Sequence, residues 1–497
     1  PNPPLYYLLL HYWVGHYGDT PYYVRLFSAL FGTATIPVIY LIGKRMSDVV
    51  VGLSAAVLLS LSTFNIYFAQ EARMYTLLTF NAAVAIYALV WLLTDPRSTA
   101  PMGSQFREYL RSWLTKESAF PDNRINPEHL IEVPGTGWRA WLYRFRSASI
   151  HTIETDLAWL AFIIFSAATL LTHNTAVLFL AAINIFVFGL MLIQRINKSD
   201  SPIAFQSPSF GNWMKAQIGI FVFWSLWIPA FVQQVRRVDQ EFWLPKPDWD
   251  TVIQTLRALL NASAPPQASQ IMIWVLCVAL FLGLVYYRKK ISMFFFLIAL
   301  FAIPFLGELI VSIHRPIFQG RTLIWITIPM LLLLAAGIAQ LRFRFLILMA
   351  LGLLGMNYLF SDSDYFRFVQ KEDWSTPAGY VANFAQEDDL VLFNSNFVVI
   401  PFNYYFKAYE EKYLIQVEKK GIPLDLFNYG ILEPKMTDND IPGLVSLLNG
   451  HNRVWLVYSH NDYTDPMGLI PQTLASQMKL TREREYYGGV VQLYETP

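Results

Sequence analysis

Three short polar interruptions break the long apolar runs of this chain, and each carries residues able to do chemistry. NIYFAQEARMYTLL, residues 65–78, puts Glu71 and Arg73 two positions apart, with Gln70 and Tyr75 beside them. A carboxylate can take a proton from a hydroxyl, and a guanidinium offers phosphate a planar, bidentate fork. The same residues would also serve as an interfacial ion pair with an aromatic anchor, because snorkelling at a membrane rim is cheap. THNT, residues 172–175, contains His173 and Asn174. They form either a plain polar turn or a site in which His donates to a phosphate or transfers a proton near neutral pH. HRPIFQGRTLIWITIP, residues 314–329, supplies His314, Arg315 and Arg321. Arg321 opens an apolar helix, whose positive end disfavours a buried cation unless an anion is present. An anion-facing role therefore suits Arg321, and Arg315 less so.

Other marked residues have plainer readings. EFWLPKP, 241–247, is as well explained by an aromatic interfacial belt as by a lid. The basic run at 288–290 is a topology signal, and Asp19 in YGDTP is a turn residue. There is no Walker loop, G-x-G-x-x-G or H-E-x-x-H. A site without nucleotide motifs, on the outer face, would draw its donor from the lipid phase. No His/Asp/Glu cluster has metal-ligand spacing, although a divalent metal held partly by a lipid phosphate would leave little trace.

These residues must be positioned by membrane helices. The 497-residue chain is 55% hydrophobic and 15% charged, against about 25% charged in soluble domains. A net charge of +1 without Lys/Arg-rich runs gives no reason to expect nucleic acid. The lone Cys277 excludes an intramolecular disulfide framework and a Cys-based zinc site. A span needs about 20 apolar residues. Ten stretches qualify, at 22–43, 49–68, 74–93, 156–173, 175–193, 216–232, 269–287, 291–312, 322–340 and 344–360. GKRM, YRKK, LRFRF and the 94–155 segment fall on one side, which the positive-inside rule makes cytoplasmic. The polar turns above then face outside, together with the 233–268 loop, whose four basic residues obey the rule poorly. The opening PNPPLYYLLLHYW is too short to span and suits a helix at the interface.

After residue 360 the chain becomes charged and loop-broken. DLVLFNS and RVWLVYSH read as buried strands, with helices expected around 374–385, 397–408 and 466–478. Gly488-Gly489 followed by VVQLYET reads as a closing hairpin or an edge strand. The expected domains are thus a transmembrane region at 1–360 and an extracytoplasmic α/β domain at 361–497.

The block running from PPLYYLLLHYW through RLFSALFGTATIPVIYLIGKRM to NIYFAQEARMYTLLTF closely resembles the amino-terminal region of bacterial family-39 type glycosyltransferases. These are GT-C membrane enzymes related to protein O-mannosyltransferases and the aminoarabinose transferase of lipid A. LTHNTAVLF, RPIFQGRTLIWITIPMLLLLAAG and the EDW opening of the last domain extend the resemblance over most of the chain. It implies an α-helical polytopic GT-C fold with a C-terminal extracytoplasmic α/β domain, in a bacterial inner membrane. It implies transfer, with inversion, of a sugar from a polyprenyl-phosphate-linked donor to a lipid, glycan or protein acceptor. Glu71 and Arg73 match the family's charged motif, with Tyr75 beside it. His173 matches its TH turn, Arg321 the basic residue near the phosphate, and Pro3-Pro4-Leu5 its membrane-surface helix. The family's best-established carboxylate precedes the PPL stretch and would lie upstream of Pro1. The expectation is therefore a chain cut short at its amino end, with eleven spans when complete and Glu71 as a supporting acid. The rival expectation is an inner-membrane lipid or solute transporter. The paired halves and midplane helix breaks of such proteins are not evident in the sequence. A catalytically inactive scaffold is the third.

Overall fold

A computed structural model of the protein describes residues 3–107, 138–196, 205–238, 246–260, 266–288, 290–341, 343–368, 372–426, 428 and 434–497. Residues 241–245 of the EFWLPKP stretch and 108–137 of the basic segment lie outside them. The chain divides into two compact units, Pro1–Tyr365 and Phe366–Pro497.

The first unit is helical. In order it comprises α1 (Pro4–Tyr17), α2 (Pro21–Met46), α3 (Val49–Ser60), α4 (Thr63–Ala69), α5 (Tyr75–Thr94), α6 (Trp138–Leu170), α7 (Val177–Ile196), α8 (Phe210–Ser225), α9 (Ile228–Val238), α10 (Trp249–Leu259), α11 (Pro266–Tyr287), α12 (Ile291–Ser312), α13 (Thr327–Ala339) and α14 (Arg344–Phe368). All ten apolar stretches lie on these helices. Five helices are long and apolar enough to cross a membrane, and two bent pairs raise the number to seven among the described residues. The protein is a multi-pass membrane protein. The bends were not anticipated. The stretch at 49–68 turns by 58° between α3 and α4, and the one at 216–232 by 69° between α8 and α9. At the first bend the Ser62 hydroxyl caps α4 by accepting from the Asn65 amide, so a new helix starts instead of the old one continuing. Amphipathic α10 was also missed within the 233–268 loop.

Close helix approach depends on glycine. A Cβ at Gly283 of α11 would lie 2.0 Å from the Leu333 carbonyl oxygen, and one at Gly337 of α13 would lie 1.9 Å from that of Ala279. Small residues let membrane helices pack backbone to backbone. Around this contact α13 is buried along almost its whole length, which makes it the central helix of the bundle.

The second unit is an α/β domain. It contains α15 (Ser375–Phe384), β1 (Leu390–Phe393), α16 (Val399–Tyr413), β2 (Glu418–Gly421), α17 (Ile441–Leu448), β3 (Arg453–Ser459), α18 (Asn461–Thr464), α19 (Leu469–Gln477), β4 (Lys479–Tyr486) and β5 (Gly489–Glu495). The sheet order is β2-β1-β3-β5-β4, with β1 parallel to β2 and β3, and β5 antiparallel to β3 and β4. Side chains alternate between two cores. Val391, Phe393, Trp455 and Val457 pack with Phe402 and Phe406 of α16. Leu390, Leu392, Val454 and Leu456 pack with Leu444 of α17 and Leu474 of α19. Burial on both faces is why these strands read as continuous apolar runs. The closing hairpin is present, but β5 is inside the sheet and the edge belongs to β4. The KLTREREY sequence of β4 is exposed and charged, a composition that protects an edge from further pairing.

Candidate active site

Three turns of the first unit meet at one end of the helical bundle. The turn between α4 and α5 carries Glu71 and Arg73. It forms because α4 ends at Ala69, where the Gln70 amide still donates to Ile66 and the Glu71 amide to Phe68. Its far side is tied to α2 by the Ser28 hydroxyl, which donates to the Arg73 carbonyl at 3.4 Å, and Ser28 is itself 2.8 Å from the buried Tyr6 hydroxyl of α1. Arg73 is exposed and hydrogen-bonds the Tyr75 side chain; Glu71 lies within its electrostatic reach.

The second turn, at 171–176, joins α6 to α7. The Leu5 amide at the start of α1 donates to the Leu171 carbonyl at 3.1 Å, so the PPL helix is anchored on this turn. Asn81 of α5 reaches it from another side, donating to the Thr172 hydroxyl at 3.2 Å. His173 caps the short 3-10 turn that follows: its Nδ1 accepts from the Thr175 amide at 3.2 Å and lies 2.8 Å from the Thr175 hydroxyl. An amide can only donate, so Nδ1 holds the lone pair and the ring proton sits on Nε2. Burial, reinforced by the positive charge of Arg321, lowers the His173 pKa to about 4. At neutral pH the ring is therefore an uncharged donor through Nε2. Asn174 has a different task. It donates to Gln234 at 2.5 Å and accepts from the Trp227 indole at 3.3 Å, bracing the bend between α8 and α9.

The third turn links α12 to α13. Ser312 shapes its start by accepting from the amides of Ile317 and Phe318 at 3.0 and 2.9 Å. Arg321 then donates to the Gln319 side chain. Arg321 precedes a short 3-10 turn, Ile324–Ile326, with α13 beyond it, so it stands ahead of the helix and does not form its first residue.

The three turns are joined by specific contacts. Buried Phe68, Tyr75 and Ile324 form one apolar cluster, the Tyr75 and His173 rings lie 6.3 Å apart, and Arg321 acts electrostatically on His173. Glu71, Arg73, Tyr75, His173 and Arg321 are thereby drawn into one neighbourhood. None of these contacts runs through Arg315, which sits earlier in the third turn, half-buried.

One residue behind this neighbourhood escaped the sequence reading. Glu308, near the end of α12, is 1% exposed. Its carboxylate accepts from the Thr322 hydroxyl at 2.7 Å, and also from the Gln319 amide and the Thr175 side chain. It thus ties the turn bearing His173 to the turn bearing Arg321. The signal was present in FLGELIV, since an ionisable residue inside an apolar span is a functional candidate by default. Among the described residues no group of three or more His, Cys, Asp or Glu is placed to hold a metal ion.

No family model matches the chain, and no curated protein matches it in sequence. Solved structures do match. ArnT from Cupriavidus metallidurans in the apo state superposes with a TM-score of 0.56 at 12% identity, over 99% of this chain and 87% of that one. The same protein bound to undecaprenyl phosphate gives 0.50 at 11% identity over the same shares. The chain has the GT-C fold, as its resemblance to family-39 type enzymes implies.

Proposed function

We propose that the protein is a glycosyltransferase that moves a sugar from a polyprenyl-phosphate-linked donor to a lipid, glycan or protein acceptor at the outer face of a bacterial inner membrane, with inversion. The observation that carries this reading is the meeting of two arginines, a neutral histidine donor and a carboxylate at one end of an apolar bundle. The GT-C fold, shared with a protein that has been crystallised with undecaprenyl phosphate, supports it.

The chemistry follows from charge. An acceptor oxygen attacks the anomeric carbon while the bond from that carbon to the phosphate oxygen breaks, and the electron pair departs on the phosphate. Arg73 and Arg321 stabilise this growing negative charge, and the His173 Nε2–H donates to it. Arg315 lies earlier in the same turn as Arg321 and serves the approach of the lipid phosphate. The hydroxyl proton passes to a carboxylate, for which Glu71 stands as the supporting group on the acceptor side. Tyr75 holds the Arg73 guanidinium in place. A divalent metal bound partly by the lipid phosphate would add to the same stabilisation.

The test is binding of undecaprenyl phosphate to the full chain in nanodiscs, followed by native mass spectrometry. Wild type should bind. Arg321→Ala and Arg73→Ala should each weaken binding about tenfold, the size of one charge-assisted contact. Equal binding by wild type and both variants would remove the phosphate role.

A further inference from the structure

From Tyr75, beside the candidate active site, α5 runs 20 residues to Thr94, about 30 Å and one hydrocarbon thickness away. Near that far end a cleft of about 240 Å³ lies between α5 and α6. It exists because small residues line it: Ala88 of α5, with Ala158 and Ala161 of α6, leave space that longer side chains would fill. An engineered apolar cavity of about 150 Å³ already takes up benzene, so the cleft has room for a hydrocarbon chain. Leu157 lines it and is exposed, as are Leu160 and Ile164 on the same face of α6. The border of the cleft is therefore an apolar surface turned towards the membrane.

Polarity is graded along the cleft. Val84 and Ala161 line its inner part, whereas Tyr87, Trp91 and Glu154 line the part next to Thr94. There the Arg45 guanidinium of α2 lies over the Trp91 ring, 3.7 Å from its centroid, and its Nε donates to the Thr94 hydroxyl at 2.8 Å. An arginine snorkelling to water would leave the ring; this one is half-buried and held. Among the described residues its two terminal nitrogens have no hydrogen-bond or ion-pair partner. The Trp91 indole N–H is buried without an acceptor, which is costly for a donor. The neighbouring charges are already paired: Arg97 lies 2.9 Å from Asp95 and 3.6 Å from Glu154, and Asp95 also accepts from the Thr155 hydroxyl at 2.7 Å. Tyr87 is within electrostatic reach of both Arg45 and Glu154. Two cations and two carboxylates therefore balance around an indole and a guanidinium that lack an acceptor.

We propose that this cleft binds one zwitterionic phospholipid with a primary-amine head, in the leaflet opposite the candidate active site. The proposal goes beyond the glycosyl-transfer reading and does not depend on it. The lipid phosphate accepts from the terminal nitrogens of Arg45 and from the Trp91 indole, a charge-assisted contact. The ammonium donates to Glu154, which also keeps Arg97 because a carboxylate offers about four lone-pair sites. One acyl chain runs inward over Ala158, Ala88 and Ala161 to Val84, where it gains the dispersion contacts that an empty cleft lacks. A phosphate head without the amine would add negative charge beside Glu154 and Asp95 with nothing to offset it.

The experiment titrates the full chain, in lipid-free detergent, with palmitoyl-oleoyl phosphatidylethanolamine or with phosphatidylglycerol of the same chains. Native mass spectrometry reads the first lipid bound, and thermal unfolding reads stability. Wild type should bind the ethanolamine lipid about tenfold more tightly than the glycerol lipid. Glycerophosphoethanolamine, the same head without chains, should not displace it. Glu154→Gln should remove the preference by weakening the ethanolamine lipid alone. Trp91→Phe should leave the lipid-free midpoint unchanged or higher, because it deletes a donor without an acceptor, yet weaken both lipids about fivefold. Ala161→Leu should abolish binding of both by filling the cleft; if that variant does not fold, the other two decide. Equal binding of the two lipids by wild type, a preference unmoved by Glu154→Gln, or lipid binding unmoved by Trp91→Phe would each overturn the proposal. Displacement by the chain-free head would overturn it as well, since the site would then hold a phosphate and not a lipid.

Discussion

The His173 imidazole and the Tyr75 phenol face each other with ring centroids 6.3 Å apart and planes tilted by 41°. They come from two turns that are distant in the sequence; Arg73 hydrogen-bonds the Tyr75 side chain, and Arg321 acts electrostatically on His173. The Thr175 amide takes the His173 Nδ1 lone pair, so the ring proton is carried by Nε2. The same histidine on the other tautomer would be a base; here it is a donor.

That assignment fixes a pH prediction. The folded-state pKa, about 4, lies below the ordinary value near 6.5. The unfolded chain therefore binds a proton first as pH falls, and the His173 contribution to stability is lost between about pH 6.5 and 4. Above that window the ring stays neutral. Transfer measured from pH 6.5 to 8 should show no limb belonging to His173, and His173→Ala should lower the rate by about 100-fold at every pH in that range. A limb near pH 7 that disappears in the variant would mean that the ring titrates there and acts as a base.

Glu308 gives a prediction about architecture. Replacing it with Ala leaves the Gln319 amide without its acceptor, while the Thr322 hydroxyl keeps the Gln319 carbonyl at 2.7 Å, at a cost of about 1–3 kcal/mol. Gln keeps the shape and one carbonyl acceptor, so Glu308→Gln should cost less. Thermal unfolding in detergent should order the proteins as wild type, Gln, Ala, and undecaprenyl phosphate binding should follow the same order as the two turns drift apart. An Ala variant as stable as wild type would show that Glu308 does not hold the turns together.

Much of this was legible in the sequence, for identifiable reasons. Apolar runs of about 20 residues announce spans whatever their packing, and all ten fall on helices. The polar turns at Glu71, His173 and Arg321 stood out because charge is costly beside hydrocarbon. The bend at residues 61–62 was hidden, because Ser62 is one small hydroxyl in an apolar stretch and its capping role depends on chain direction. The packing of the end of α14 against α4 and the turn at Glu71 was hidden as well. It depends on Tyr365 and Asp362, at the far end of the unit, which no local pattern connects to residue 71. In the second unit β1 and β3 were evident from continuous burial. β2 and β4 are charged edge strands, and their pattern reads as loop.

Packing at Gly337 supplies a third prediction. A Cβ there would lie 1.9 Å from the Ala279 oxygen, and its counterpart at Gly283 would lie 2.0 Å from the Leu333 oxygen. Both obstacles are backbone, so no side chain can swing aside. Gly337→Ala should force α11 and α13 apart and destabilise the bundle by at least about 2 kcal/mol. Gly352→Ala, whose Cβ would meet nothing within 4 Å, is the matched control. Size-exclusion profiles after heating should separate the two, and similar profiles would mean that the helices yield.

The last prediction concerns the second unit alone. Asp389 is 1% exposed at the start of β1. Its carboxylate accepts from Arg453 at 3.0 Å, from the Trp455 indole at 2.8 Å and from the Gln386 amide at 3.0 Å. Arg453 in turn pairs with Glu495 and donates to the Phe384 carbonyl at 2.8 Å, so one guanidinium joins β1, β3, β5 and the end of α15. Arg453→Met keeps most of the aliphatic bulk but leaves a buried carboxylate without its counter-ion, which costs about 3–5 kcal/mol. Adding Asp389→Asn removes the stranded charge while keeping an oxygen for the Trp455 indole. The double variant should therefore be more stable than Arg453→Met alone. Hydrogen exchange at the β1 and β3 amides of the full chain reports this unit separately from the helical one. If the second change brings no recovery, the penalty arises from lost packing around the arginine stem and not from the unpaired charge.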